Sequence, residues 1–276
     1  MKYKKILIIF ILLFIHSNNA QQRLEFKVYM QKQAYLEGEP IDIGRTIINT
    51  DAQYQNSDGE ISILLINEST KEIIQPNGPI GNWFSADDKI INAKEVSYRI
   101  IDLTKLYGRG YSLASNHHIL KAGLYSATFS YQENHVLIKD TSISFRVDVP
   151  TGEDLTVLNS YKEISEHFKG AKIYSEELRK LLEAHPKSIY NPVILKNLHT
   201  VYKILLDDPV ETLKCGKELI DKYPWSSKGQ FILDDVLKEL PDKKERIEYL
   251  NKIVSKTSNS PMQKLLERKL KVETEK

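Results

Sequence analysis

The chain has 276 residues, and its 39 Lys and Arg against 37 Asp and Glu leave a formal net charge of +2. That balance lacks the concentrated basic face of a nucleic-acid protein, so no nucleic-acid partner is expected. Cys215 is the one cysteine, which excludes an intramolecular disulfide and leaves stability to packing.

At the start, Lys2, Lys4 and Lys5 precede the apolar run Ile6 to Ile15, and a short polar stretch ends at Ala20. This is the layout of a secretory signal peptide, so residues 1–20 are expected to be cut away after Ala20, leaving a periplasmic or secreted protein. The run is shorter than the about 20 residues a membrane span needs, and no second long apolar segment follows, so no stable membrane insertion is expected. No cysteine follows the run to carry a lipid anchor. Without the three leader lysines, 36 basic residues face 37 acidic ones, a net charge of −1.

Residues 21–150 read as one domain and residues 151–276 as another. In the first, Leu24 to Met30, Pro40 to Asn49, Glu60 to Asn67, Lys71 to Gln75, Glu95 to Leu103, Gly123 to Gln132 and Thr141 to Val149 have period-two character. Seven such runs, rich in Tyr, Ile, Val, Thr and Phe, predict an antiparallel sandwich. Asn56-Ser-Asp-Gly59 and Gln75-Pro-Asn-Gly-Pro79 supply turn chemistry. Arg45 interrupts the alternation after Ile41 and Ile43, and a bulge at Gly44 is expected to resolve it by turning Thr46 and Ile48 inward. Pro150 to Asp154 forms the boundary, either a hinge or a packed corner.

From Leu155 onward the spacing is helical. Tyr174, Leu178, Leu181 and Leu182 form one stripe, and Val193, Leu195, Leu198, Val201, Tyr202 and Leu205 another. Asp208-Pro209 reads as a cap followed by a first-turn proline. Leu181-Leu-Glu-Ala-His-Pro-Lys-Ser188 matches Leu219-Ile-Asp-Lys-Tyr-Pro-Trp-Ser226 at a spacing of 38 residues, and Ile253 to Ser260 is a weaker third copy. About three stacked helical pairs are predicted. Cys215 lies on a helical stripe and is expected to be a buried structural residue. Trp225 stands at a junction between pairs, and Tyr161, Tyr174, Tyr190 and Tyr202 either line a groove or, for most of them, lie in the core.

Tyr35-Leu-Glu-Gly-Glu-Pro-Ile-Asp-Ile43 with Ile47-Ile-Asn49, and Leu120-Lys-Ala-Gly-Leu-Tyr125, resemble steps of bacterial immunoglobulin-like sandwiches of the macroglobulin and BsuPI proteinase-inhibitor types. Tyr125 is placed to return its hydroxyl to the backbone as a tyrosine corner. His185-Pro-Lys-Ser188 and Tyr223-Pro-Trp-Ser226 resemble the junctions of tetratricopeptide-like repeats. The resemblance implies a multi-domain β + α chain, an immunoglobulin-like sandwich followed by a helical repeat, and repeats of that kind bind peptides or proteins.

No catalytic motif is present. No His-Glu-x-x-His, Gly-x-Ser-x-Gly or phosphate loop occurs, and Tyr107-Gly-Arg-Gly-Tyr111 reads as a flexible turn. His117-His118 reads as part of a polar loop, so no metal or cofactor is expected. Trp83, Phe84, Tyr107, Arg109 and Tyr111 are candidate partner-binding residues, because aromatics and arginine in connections offer large contact areas and directional donors. The alternative is that Trp83 and Phe84 cover the end of the core. Together these features predict a non-enzymatic protein-binding or scaffolding component of a bacterial envelope, with a protease inhibitor acting through sandwich loops, or an enzyme without a motif, as alternatives.

Overall fold

The structure, a computed structural model, describes residues 24–49, 55–56, 60–76, 90–91, 96–107, 119–133, 136–240, 242–257 and 261–275. The leader lies outside them. A β region is followed by a helical region, with strands β1 Leu24–Met30, β2 Ala34–Leu36, β3 Asp42–Asn49, β4 Gln55–Asn56, β5 Glu60–Asn67, β6 Glu72–Ile74, β7 Ile90–Ile91 and β8 Val96–Asp102. A one-turn helix, α1 Leu103–Tyr107, precedes β9 Gly123–Glu133 and β10 Val136–Asp148.

One sheet runs β1-β3-β8 and a second runs β2-β10-β9-β5-β6, with β4 and β7 forming a separate pair. Among the described strands the pairings are antiparallel except β2 with β10, which is parallel. The period-two reading holds because the two sheets share one core. Ile61, Ile63 and Leu65 of β5 and Tyr125, Ala127, Phe129 and Tyr131 of β9 are buried on alternate positions. Phe26 of β1 stacks on Tyr131 across the sheets, with ring centroids 5.7 Å apart. The Tyr125 hydroxyl donates to the Lys121 carbonyl at 2.8 Å, the return expected of it.

The bulge expected at Gly44 is absent. Pairing runs unbroken from Leu24 opposite Asn49 to Met30 opposite Ile43, and from Asp42 opposite Asp102 to Ile48 opposite Val96. β3 is the middle strand of its sheet, so an inserted residue would disrupt two ladders at once. Arg45 keeps its place in the alternation and is buried at 2% exposure, as Ile43 and Ile47 are.

The helical region holds α2 Gly152–Glu166, α3 Ala171–Ala184, α4 Asn191–Ile204, α5 Pro209–Lys222, α6 Ser227–Glu239, α7 Lys243–Lys256 and α8 Pro261–Glu275. Asp208, Ser226 and Asp242 accept the backbone amides of Glu211, Lys228 and Glu245, capping α5, α6 and α7 for about 1 kcal/mol each. The two copies of the repeat are built alike. His185 and Tyr223 end α3 and α5 at φ −131°, each donating its amide to the leucine four residues earlier, at 3.1 and 2.9 Å. Ser188 and Ser226 are buried, and each side chain accepts the amide two residues on. The following proline explains the stop, since it disfavours helical backbone in the residue before it. In the weaker third copy, residues 258–260 lie outside the described residues.

The last helix departs from a simple stack of pairs. α8 lies against α7 and folds back onto β8 and β3, while α6 also touches β8. The three-stranded sheet is therefore covered on both faces. Neighbouring residues of β8 consequently serve two cores: Ile101 faces the one between the sheets and Ile100 the one among the helices. Tyr190 Oη donates to the Glu37 carbonyl at 2.7 Å, and the Ser227 amide donates to Asp42 at 2.9 Å. Pro150 is buried, whereas Thr151, Gly152 and Glu153 after it are exposed.

Candidate functional site

Of the residues singled out in the sequence, Trp83, Phe84, Arg109 and Tyr111 lie outside the described residues, as do His117 and His118. Tyr107 is in the core between the sheets at 1% exposure, where its hydroxyl donates to the Ile63 carbonyl at 2.6 Å. It offers no surface to a partner. Tyr161, Tyr174 and Tyr190 are core residues, and Trp225 is 37% exposed with its ring edge-on to Tyr223.

Cys215 is buried, and that burial pushes its thiol pKa up to about 12 even though Arg179 Nη2 donates to its sulfur at 2.7 Å. A thiol so held is protonated at neutral pH and serves packing. Among the described residues no group of three His, Cys, Asp or Glu is disposed to hold a metal ion.

Polar side chains gather at each end of α6. At its N-terminus, Asp42 accepts the Ser227 amide, and Asp102 pairs with Lys228 while accepting from the Thr104 amide at 3.0 Å. Burial, reinforced by the neighbouring Asp102 charge, pushes Asp42 up to about 6. Lys196, half-buried nearby on α4, is lowered to about 8 by burial and by Lys228 and Lys105. The aspartates and Ser227 are closed from solvent, and within the cluster Asp42 Oδ1 and Ser227 Oγ have no hydrogen-bond partner.

The other end opens into a cleft of about 360 Å³ lined by His199 and Lys203 of α4, Asp207 and Asp208 of the turn, the first turn of α5, and Asp235 and Glu239 of α6. The turn has a compact build. The amides of Leu205 and Leu206 both donate to the Val201 carbonyl, and the Asp208 amide donates to that of Tyr202 at 2.9 Å. Asp207 takes the left-handed conformation at φ 48°, where glycine is the usual occupant, and such local strain clusters at functional sites. Gly216 lets α5 and α6 close the back wall, since a Cβ there would stand 2.5 Å from Val236 Cγ2.

Asp235 binds Lys203 at 2.7 Å, whereas His199 Nε2 stops 3.9 Å from the same carboxylate, too far for a hydrogen bond. His199 is 3% exposed and Nε2 has no hydrogen-bond partner, a deficit worth about 1–3 kcal/mol. Burial lowers its pKa, so the ring is neutral at pH 7. Asp207, Asp208, Asp235 and Glu239 outnumber Lys203 and Lys238, which leaves the cleft acidic by two charges. Beside it stand Ile204, Leu205 and Val210, exposed at 68%, 56% and 73%. Leu205 departs from its expected place on the α4 stripe because the helix ends at Ile204 and the chain turns before its side chain can be covered. Three large apolar residues are exposed within seven positions around one turn, a density that single scattered surface leucines do not reach.

No family model matches this chain, and no curated protein does. Among solved structures, the chain is similar to the Pseudomonas fluorescens alkylpurine DNA glycosylase AlkC bound to DNA containing an abasic site analog. The identity is 12% and the TM-score 0.28, over 50% of this chain and 33% of that one, so this chain spans about a third of the glycosylase's length. Two expectations are corrected by these findings. The resemblance to macroglobulin- or BsuPI-type immunoglobulin-like domains followed by tetratricopeptide-like repeats is withdrawn, because no family model of either kind matches and the similar structure is a DNA glycosylase. The exclusion of a nucleic-acid partner is withdrawn as well, because that structure was solved on DNA. A likeness at this TM-score carries no argument that the present chain binds DNA.

Proposed function

We propose that this chain is an exported, non-enzymatic protein-binding component that serves as a scaffold in a bacterial envelope. In this reading the β region is an antiparallel sandwich used as a platform, and the helical repeat is the binding limb. The exported address is supported by the leader pattern of residues 1–20. The observation that carries the reading is the knuckle between α4 and α5, where Ile204, Leu205 and Val210 stand exposed beside an open cleft. Exposed apolar patches rimmed by polar groups mark surfaces that another protein covers.

The test compares the mature chain with an Ile204→Ser/Leu205→Ser/Val210→Ser variant. Both are immobilised, and proteins retained from envelope and secreted fractions of the producing cell are identified by mass spectrometry. A protein held by the wild type and lost by the variant is the expected result. Equal retention by both removes the knuckle from the reading, and retention of a peptidase through the β region alone favours a protease inhibitor.

A further inference from the structure

We infer that the cleft beside the knuckle receives a lysine or arginine side chain of a partner segment whose adjoining apolar residues cover Ile204, Leu205 and Val210. The inference rests on the protein-binding reading and specifies the chemistry of what is bound.

Charge complementarity selects the cation. Asp208 spends one oxygen on the α5 cap, at 3.0 Å from the Glu211 amide, and Asp235 is engaged by Lys203. Asp207 and Glu239 make no ion pair among the described residues, so two carboxylates, one from the turn and one from α6, remain available. The second, independent sign is His199, whose buried Nε2 lies in the cleft wall without a hydrogen-bond partner. An anionic group entering here would meet a surplus of carboxylates and a neutral imidazole. A guanidinium or ammonium group is attracted by the surplus, and its planar or threefold donors suit several acceptors at once.

The apolar shoulder fixes the rest of the ligand. Ile204 and Leu205 stand at the end of α4 and Val210 in the first turn of α5, so both sides of the turn whose Asp207 and Asp208 line the cleft carry exposed apolar side chains. A segment that places a long basic side chain in the cleft lays its neighbours on this shoulder. The methylene stem of the basic side chain adds to the same apolar contact.

Phage-displayed random dodecapeptides selected on the immobilised full chain, with counter-selection on the Ile204→Ser/Leu205→Ser/Val210→Ser variant, test the inference. The recovered peptides should share a Lys or Arg next to aliphatic or aromatic residues. A synthetic representative should lose about tenfold in affinity on the Asp207→Asn/Glu239→Gln variant, with a similar loss when its Arg is replaced by citrulline. Binding should also weaken as salt rises from about 0.05 to 0.5 M. Knuckle-dependent peptides that lack a cation, or that ignore both changes, overturn the cationic ligand while leaving the protein-binding reading in place. Failure to recover any peptide that depends on the knuckle overturns both.

Discussion

α6 has a sealed cluster at one end and an open cleft at the other, separated by roughly 20 Å at 1.5 Å per residue. At Ser227 the helix amide, two aspartates and Lys228 are turned on one another and hold the helices to the β sheet. At Asp235 and Glu239 the same residue types face solvent beside a histidine whose Nε2 is unspent. The difference separates structural polarity from available polarity. Both ends keep unpaired buried atoms, Asp42 Oδ1 and Ser227 Oγ at one and His199 Nε2 at the other, but a group sealed from solvent meets no ligand, whereas one beside an opening has something to offer another molecule.

The comparison breaks most visibly if the two ends respond alike to losing a carboxylate. Asp102→Ala leaves the Lys228 ammonium buried without its counter-ion and removes the acceptor for Thr104, so chemical denaturation should show a loss of about 3–5 kcal/mol. Asp235→Ala, whose partner Lys203 is 47% exposed, should cost about 0–1 kcal/mol. Equal losses would mean that the cleft is as structural as the seal.

Asp42→Asn sharpens the account of the sealed end through pH. The folded-state pKa of Asp42 is raised from 3.8 to about 6, so the folded protein binds the proton more tightly and ionisation opposes folding. Wild-type stability should therefore fall relative to the variant as pH rises from about 4 to 6, and the gap should stay constant above that. A gap that does not change with pH would show that Asp42 ionises in the fold as it does in the unfolded chain.

Gly216→Ala tests the packing of α5 on α6 behind the cleft. The added methyl meets Val236 Cγ2, so α5 and α6 must separate, with an expected cost of about 1–3 kcal/mol in thermal or denaturant unfolding. An unchanged stability would show that the helices have room to spare.

Lys196→Met should stabilise the chain at pH 7, because the wild-type ammonium is lowered to about 8 by burial and the nearby lysines. The sign follows from proton binding. The folded state holds this proton less tightly than the unfolded one, so wild-type stability recovers from pH 8 upward and the gain from the variant fades by about 10.5. The smallest effect is expected at the open end. Asp207→Gly relieves left-handed strain but adds unfolded-state entropy, for a net gain of about 0.5 kcal/mol, and it should weaken binding of a cationic peptide.

Much of the architecture was legible because periodicity is a local consequence of burial on one face. β5 and β9 each bury alternate residues against a single core, and the runs Glu60 to Asn67 and Gly123 to Gln132 announced them. β3 was harder to read. Its two faces are both covered, so Asp42, Gly44, Arg45 and Thr46 are all buried and the alternation no longer distinguishes inside from outside. β2 went unseen because three residues inside turn chemistry carry no period, and its parallel partner Arg146–Asp148 lies over a hundred residues away.

The cleft was only partly legible. Asp208-Pro209 correctly marked the start of α5, but the exposure of Leu205 and Val210 depends on where neighbouring helices stop, which no spacing within one helix reveals.

By itself, the sequence determined the β-then-helical order, the proline-terminated turns at His185 and Tyr223, the cap at Asp208 and the structural place of Cys215. Each of these follows from interactions within a few residues or from one-sided burial. Only the tertiary structure decided that α8 returns to β8, that Asp102 meets Lys228 across 126 residues, and that His199, Asp207 and Glu239 line one opening. Those outcomes depend on how amphipathic faces choose partners in space, and that choice is made by packing among elements far apart in the chain.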